Sequence, residues 1–214
     1  MTGEIKLYFG GTFDPFHNGH LAVAKHVTTS LAIPNITLLP AHIPPHKATP
    51  KVSSEHRLAM LNSLASTEPF LSIDCRELNR ETPSFTVDTL AEIKRELPQS
   101  ALNFVIGMDS LVNLHLWHKW QEILTLTNLI VCTRPGIELD AQYSNLNSNV
   151  TQYLVNHINL ANSGQIYLLP PMNYDISSTL LKTQLANTGL DQITKSHLPA
   201  AIAQYISETG LYRN

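Results

Sequence analysis

The chain has 214 residues, 43% of them hydrophobic, and a formal net charge of −3, which fits one sizeable domain able to bury a core without disulfides or a structural metal. That charge offers no basic surface for nucleic acid, although a local pocket can still be positive, and no stretch reaches the length of a membrane span. Cys75 and Cys132 lie in apolar segments and read as buried thiols of a reducing compartment; Met-Thr-Gly-Glu-Ile-Lys at the start carries no apolar signal region, so a cytoplasmic enzyme is the expectation.

Short apolar runs alternate with helical patterns along the chain. EIKLYF (4–9) reads as a buried strand bounded by Gly10 and Gly11. Leu21, Ala24, Val27 and Leu31 then follow helical spacing. NITLLPA (35–41) is a second strand, stopped by prolines. Leu58, Leu61 and Leu64 mark a helix that Ser53 or Ser54 can cap. FLSIDC (70–75) is a third strand. Val87, Leu90, Ile93 and Leu97 define a helix after Pro83-Ser84, ended by Pro98. ALNFVIG (101–107), NLIVCT (128–133) and QIYLLP (165–170) are further strands, and Leu198, Ile202, Tyr205 and Ile206 belong to a last helix. Residues 137–163 are polar and Asn-rich, and read as a surface insertion, partly helical.

This alternation predicts an α/β fold, a mainly parallel sheet with helices on both faces. Ligands of such sheets bind beyond the carboxyl ends of the strands, at a switch in strand order. The unusual residues follow strands: Gly10 to His20, Pro44 to Lys47, Gly107 to Asp109, and Arg134 to Gly136.

Within FGGTFDPFHNGH (9–20), the glycines permit close approach of a ligand to the backbone or positive φ, and a plain tight turn needs them equally. The dinucleotide fingerprint and the Walker loop are both absent. His17 and His20 have zinc-like spacing, but no cysteine or carboxylate cluster completes a site and Asp14 alone is weak support. Phosphate contact is the stronger reading. Two imidazoles at a helix start, i and i+3, share a face and can join the helix dipole in stabilising charge on a transferring phosphoryl group. Gly19 removes a side chain where a nucleotide would lie.

GGTFDPFHNGH resembles the HxGH signature of the nucleotidyltransferase superfamily, and DISSTLLK (175–182) resembles its second, ISSTxxR-type signature. PPHK (44–47), SFTVDTL (84–90), GMDSL followed by Trp117, and VCTRPG (131–136) narrow the resemblance to bacterial nicotinate-nucleotide adenylyltransferases, over nearly the whole chain. It implies a Rossmann-like, doubly wound single nucleotidyltransferase domain over 1–214, with a variable insertion near 137–163 and a helical part from about residue 176. The implied reaction joins ATP to nicotinate mononucleotide, with Mg²⁺ carried on the ATP phosphates. The nearest alternatives are the nicotinamide-mononucleotide enzyme and an inactive nucleotide-binding regulator. No nucleic acid or membrane partner is implied, and a homo-oligomer is compatible with the family.

The resemblance assigns catalysis to His17, His20 and Lys182. Gly10, Gly11, Thr12, Phe13 and Gly19 would contact ATP, with Ile106, Gly107 and Asp109 at the adenosine and Ile176, Ser177, Ser178 and Thr179 at the phosphates. Lys47 and Arg134 would meet the mononucleotide phosphate. Trp117 would stack on the pyridine, and Ser84, Phe85, Thr86 and His118 would receive its carboxylate. Plain readings stand beside these: a capping serine, a capping Asp109, a core Trp117, surface charge at Lys47 and Arg134. Three residues depart from the family pattern: Lys182 where Arg is usual, Phe85 for Tyr, and Ala41 for Asn, with His42 as a substitute contact.

Overall fold

The structure, a computed structural model, describes residues 3–43, 50–133, 146–171 and 178–213. Among these, seven strands form one sheet: β1 (Ile5–Gly11), β2 (Ile36–Pro40), β3 (Leu71–Ile73), β4 (Ala101–Gly107), β5 (Thr127–Cys132), β6 (Leu154–Val155) and β7 (Ile166–Leu168). Their order is β3-β2-β1-β4-β5-β7-β6. The pairs β1–β4, β2–β3, β4–β5, β5–β7 and β6–β7 are parallel, as strand–helix alternation predicts. The fold is a Rossmann-like α/β fold. The chain divides into two compact units, residues 1–10 with 85–173, and residues 11–84 with 174–214.

In the first unit, β5 is buried at all six positions, the mark of a strand covered on both faces. Phe9 lies opposite Val105, so Gly10, near the end of β1, lies beside the end of β4, where the strand order turns back. The helices are α3 (Thr86–Glu96), α4 (Met108–Val112), a 3₁₀ turn (Leu114–Leu116), α5 (Trp120–Leu126) and α6 (Ser148–Thr151). Val87, Leu90 and Ile93 bury the apolar face of α3, and the helix stops at Leu97, before Pro98.

The polar segment 146–163 is more than an insertion. It supplies α6 and the edge strand β6, burying Leu146 and Val150. Asn103 and Asn128, both fully buried, anchor it. Asn128 Nδ2 donates to Asn103 Oδ1 at 3.0 Å and to the carbonyls of Asn159 and Asn162 at 3.1 and 3.0 Å. Asn128 Oδ1 accepts from the Gln165 N–H at 3.1 Å, and Asn103 Nδ2 donates to the Leu160 carbonyl at 3.1 Å. Asn128→Ala strands several buried donors and acceptors at once, so we expect a stability loss of about 2–3 kcal/mol in urea denaturation. A loss under about 0.5 kcal/mol, the scale of an ordinary surface change, would contradict that role.

The second unit carries β2, β3, α1 (Asn18–Ser30), α2 (Ser54–Ala65), α7 (Ser178–Thr188), α8 (Gln192–Ser196) and α9 (Ala200–Thr209). Ser53 caps α2, its hydroxyl accepting the His56 N–H at 3.5 Å. The third strand is shorter than expected: it ends at Ile73, and Cys75 beyond it is half-buried rather than buried. Leu198 is buried but precedes α9, which starts after Pro199 and closes on Gly210 at φ 68. Cys132, in the first unit, is buried, and burial pushes its thiol up to about 12.

Candidate functional site

In the second unit, the loop after β1 leads into α1 through residues 12–17. His17 is the N-cap of α1 and His20 its third residue. The His20 N–H donates to His17 Nδ1 at 3.4 Å, and the His17 N–H donates to His20 Nδ1 at 3.3 Å. This is a capping box built from two imidazoles. It satisfies two helix-start donors, and because each Nδ1 accepts, each ring proton sits on Nε2. The rings stack with centroids 3.8 Å apart. Phe13 and Phe16 hold His20 from two other sides at 5.2 and 5.1 Å. The imidazoles are therefore locked in tautomer and orientation, which suits donors meant for an anion.

Neither Gly10 nor Gly11 takes positive φ; Phe13, at φ 49, does. The glycines have another reason. A Cβ on Gly10 would lie 2.5 Å from the Phe104 ring, and one on Gly11 2.6 Å from the Phe13 ring. Gly19 is buried in the first turn of α1.

Behind this loop lies a buried charge cluster. The Asp14 carboxylate is 2% exposed. Its Oδ1 accepts the Tyr212 hydroxyl at 2.7 Å; its Oδ2 accepts the Lys51 backbone N–H at 3.2 Å and the Lys182 ammonium at 3.3 Å. Arg57 is 1% exposed. It donates Nη1 to the carbonyls of Thr12 and Ala41, both at 2.7 Å, and Nη2 to Ser54 Oγ at 3.2 Å and the His42 carbonyl at 3.5 Å. Burial lowers the Arg57 pKa from its ordinary value, and the Asp14 charge opposes that. Ser178 Oγ approaches the Pro15 carbonyl at 3.5 Å. The two sequence signatures thus meet inside one unit, through Ser178 on Pro15 and Lys182 on Asp14. Thr179 follows on the exposed side of α7.

Burial, the Asp14 charge and the hydrogen bond to it raise the Tyr212 phenol above the ordinary value of about 10, with Arg57 opposing. The folded chain holds this proton more tightly than the unfolded chain. Stability from this group is full below about pH 10 and is lost as pH rises beyond it. Tyr212→Phe should flatten that alkaline decline in urea denaturation between about pH 8 and 11. An equally steep decline in wild type and variant would count against the contact.

Other expected contacts in this unit are already engaged. Ser84 is buried, its hydroxyl accepting the His42 N–H at 3.1 Å, and His42 Nδ1 pairs with Ser54 Oγ at 2.9 Å.

In the first unit, Ile106 is buried in the core, and Gly107 caps α4 without a side chain. A Cβ on Gly107 would lie 2.5 Å from Asp109 Oδ1, so the glycine lets the exposed Asp109 carboxylate fold back over the end of β4. Asp109 does not cap α4 through its side chain. Phe85 is the N-cap of α3 and offers no side-chain cap, so Thr86 and its neighbours begin the helix with backbone donors. The Phe85 ring packs 4.7 Å from the exposed His118 ring. Trp117 is half-buried at the end of the 3₁₀ turn, rather than a core aromatic. Lys47, Arg134, Ile176 and Ser177 lie outside the described residues.

Sequence reasoning missed Arg57 and Tyr212 and undervalued Asp14. Arg57 left a signal: it shares the buried face of α2 with Met60, Leu61 and Leu64, at i, i+3, i+4 and i+7. A charge at an apolar position demands partners. Tyr212 left no such pattern.

The family model described as cytidylyltransferase-like matches residues 8–184. A probable nicotinate-nucleotide adenylyltransferase from Aeromonas hydrophila is 45% identical over 206 residues, 95% of each chain. One from Yersinia enterocolitica is 38% identical over 216 residues, 99% of this chain and 97% of that one. Among solved structures, the Plasmodium falciparum nicotinic acid mononucleotide adenylyltransferase complexed with NaAD superposes with a TM-score of 0.75 at 17% identity, covering 98% of this chain and 97% of that one; at that identity the likeness speaks for the fold. With relatives this similar over nearly its whole length, the chain belongs to the nicotinate-nucleotide adenylyltransferase family.

Proposed function

We propose that the chain transfers the adenylyl group of ATP to nicotinate mononucleotide, releasing pyrophosphate and forming nicotinate adenine dinucleotide. The contact of the second signature with the first, Lys182 on Asp14 and Ser178 on Pro15, is the observation that carries this reading. The names of the relatives support the acid mononucleotide as acceptor.

In this reading, an oxygen of the mononucleotide phosphate attacks the α-phosphorus of ATP in line. A P–O bond forms there, the bond to the bridging oxygen breaks, and pyrophosphate leaves with its electron pair. No side chain forms a bond to phosphorus, so positioning and charge stabilisation supply the rate. His17 and His20 donate Nε2–H to phosphate oxygens, a role their accepting Nδ1 atoms already prepare. Backbone groups of Gly10, Gly11, Thr12 and Phe13 surround the phosphates, and Ser178, Thr179 and Lys182 meet them from α7, with Ile176 and Ser177 before it. Gly107 and Asp109 receive the adenosine ribose. Trp117 stacks on the pyridine, and the start of α3 with His118 receives the carboxylate. Lys47 and Arg134 hold the mononucleotide phosphate.

Magnesium fits as a passenger of ATP, neutralising phosphate charge. Asp14, the carboxylate of the first signature, is committed to three donors, so the magnesium would take its oxygens from the ATP phosphates. We place the enzyme in the cytoplasm. Neither Cys75 nor Cys132 is in a disulfide, and no described helix is long and apolar enough to cross a membrane.

The test is incubation of purified protein with Mg-ATP and nicotinate mononucleotide, following pyrophosphate and identifying the product by mass. One dinucleotide per pyrophosphate is expected. Phosphate release without dinucleotide would overturn the reading.

A further inference from the structure

We infer that Tyr212 is a positioning residue for the phosphate-binding lysine, its hydroxyl setting the Lys182 ammonium through the Asp14 carboxylate. This rests on the adenylyltransferase reading, in which Lys182 meets ATP.

A carboxylate that is 2% exposed must have its charge satisfied by donors. The Tyr212 contact to Oδ1, at 2.7 Å, is the shortest of the three that Asp14 receives and is of the strong, charge-assisted O–H···O⁻ kind. It fixes the plane of the carboxylate and therefore the direction in which Oδ2 faces Lys182. The Lys182 side chain is 29% exposed, so its ammonium is anchored while still reaching solvent. It stands four residues after Ser178, on the same face of α7. The lysine itself explains why an anchor is needed. An arginine at this position carries a rigid planar fork, whereas lysine ends a flexible four-carbon stem in a point charge and takes its direction from what it touches.

The backbone gives independent support. Tyr212 sits at φ 64, in the left-handed region. A tyrosine remains there only when its contacts over-determine the conformation, and such positions concentrate where strain serves a site. Arg57, buried in the same unit, adds positive charge to the cluster around Asp14. The plainer role, in which Tyr212 only satisfies a buried carboxylate, makes a different prediction for the coupling between Tyr212 and Lys182.

The experiment is a double-mutant cycle of Tyr212→Phe and Lys182→Gln, reading kcat and both KM values alongside thermal unfolding, at a temperature where circular dichroism shows every variant folded. Tyr212→Phe should lower kcat/KM for ATP about tenfold, the effect of losing one charge-assisted hydrogen bond, and leave KM for the mononucleotide unchanged. In the Lys182→Gln background the same change should cost nothing further. In a Lys182→Arg background, where the side chain brings its own fork, it should cost less than in wild type. Equal losses in all three backgrounds, or a loss confined to stability, would overturn the role of Tyr212 while leaving the reaction intact. A folded wild type that makes no dinucleotide would overturn this inference and the adenylyltransferase reading together.

Discussion

His20→Ala should lower kcat by about 10²–10³-fold, the typical cost of removing one preorganised donor from a site where charge develops. The expectation comes from geometry more than from motif. His20 Nδ1 is committed to the His17 N–H, so its proton is on Nε2, and Phe13, Phe16 and His17 pack around the ring. A donor held this way needs no reorganisation as the transition state forms. The same substitution removes half of the capping box, so stability should fall by about 1 kcal/mol. Steady-state kinetics and urea denaturation on one preparation separate the two effects. A near-wild-type rate would mean that His20 serves only to start α1.

Arg57→Met should cost about 3–5 kcal/mol of stability, as removal of one partner from a buried charge arrangement does. The guanidinium joins the loop after β1 to the loop after β2 by sharing Nη1 between the Thr12 and Ala41 carbonyls. Methionine fills the space but leaves those carbonyls without a donor, and it removes one positive charge from the cluster around Asp14, where Lys182 remains at 3.3 Å. Arg57→Lys should recover only part of the loss, because one ammonium cannot reproduce the fork. Urea denaturation of the three proteins decides it. A loss for Arg57→Met below about 1 kcal/mol, the scale of a single ordinary hydrogen bond, would show that the two loops hold together without it.

Much of the fold was legible because its cause is local. Strands such as ALNFVIG are buried on both faces and read as unbroken apolar runs, and α2 and α3 show their apolar faces at helical spacing. Segments whose order depends on distant partners were not legible. Leu154–Val155 is too short to carry a period, and it becomes a strand by pairing with β7 in a segment tied down by Asn103 and Asn128. The brief helices α4, α5 and α8 carry too few turns to show one.

The candidate site divides in the same way. His17 and His20 announced themselves by spacing at a helix start, and Lys182 by the second signature. What the spacing could not show is that the imidazoles cap the helix for each other. The glycines were legible as residues but not in their reason: Gly10 and Gly11 are small because Phe104 and Phe13 press on them, and the positive φ falls on Phe13. Tyr212 lies 198 residues from Asp14 in sequence, and only the folded chain brings them together.

Acceptor choice tests the central claim most directly. Purified protein is given Mg-ATP with nicotinate mononucleotide or nicotinamide mononucleotide, and kcat/KM is measured for each with the products identified. A site built of convergent donors accepts a carboxylate and leaves the NH₂ of an amide unpaired. Pyrophosphate and dinucleotide are expected with the acid, and a markedly lower kcat/KM with the amide. Preference for the amide, or no pyrophosphate with either, would contradict it.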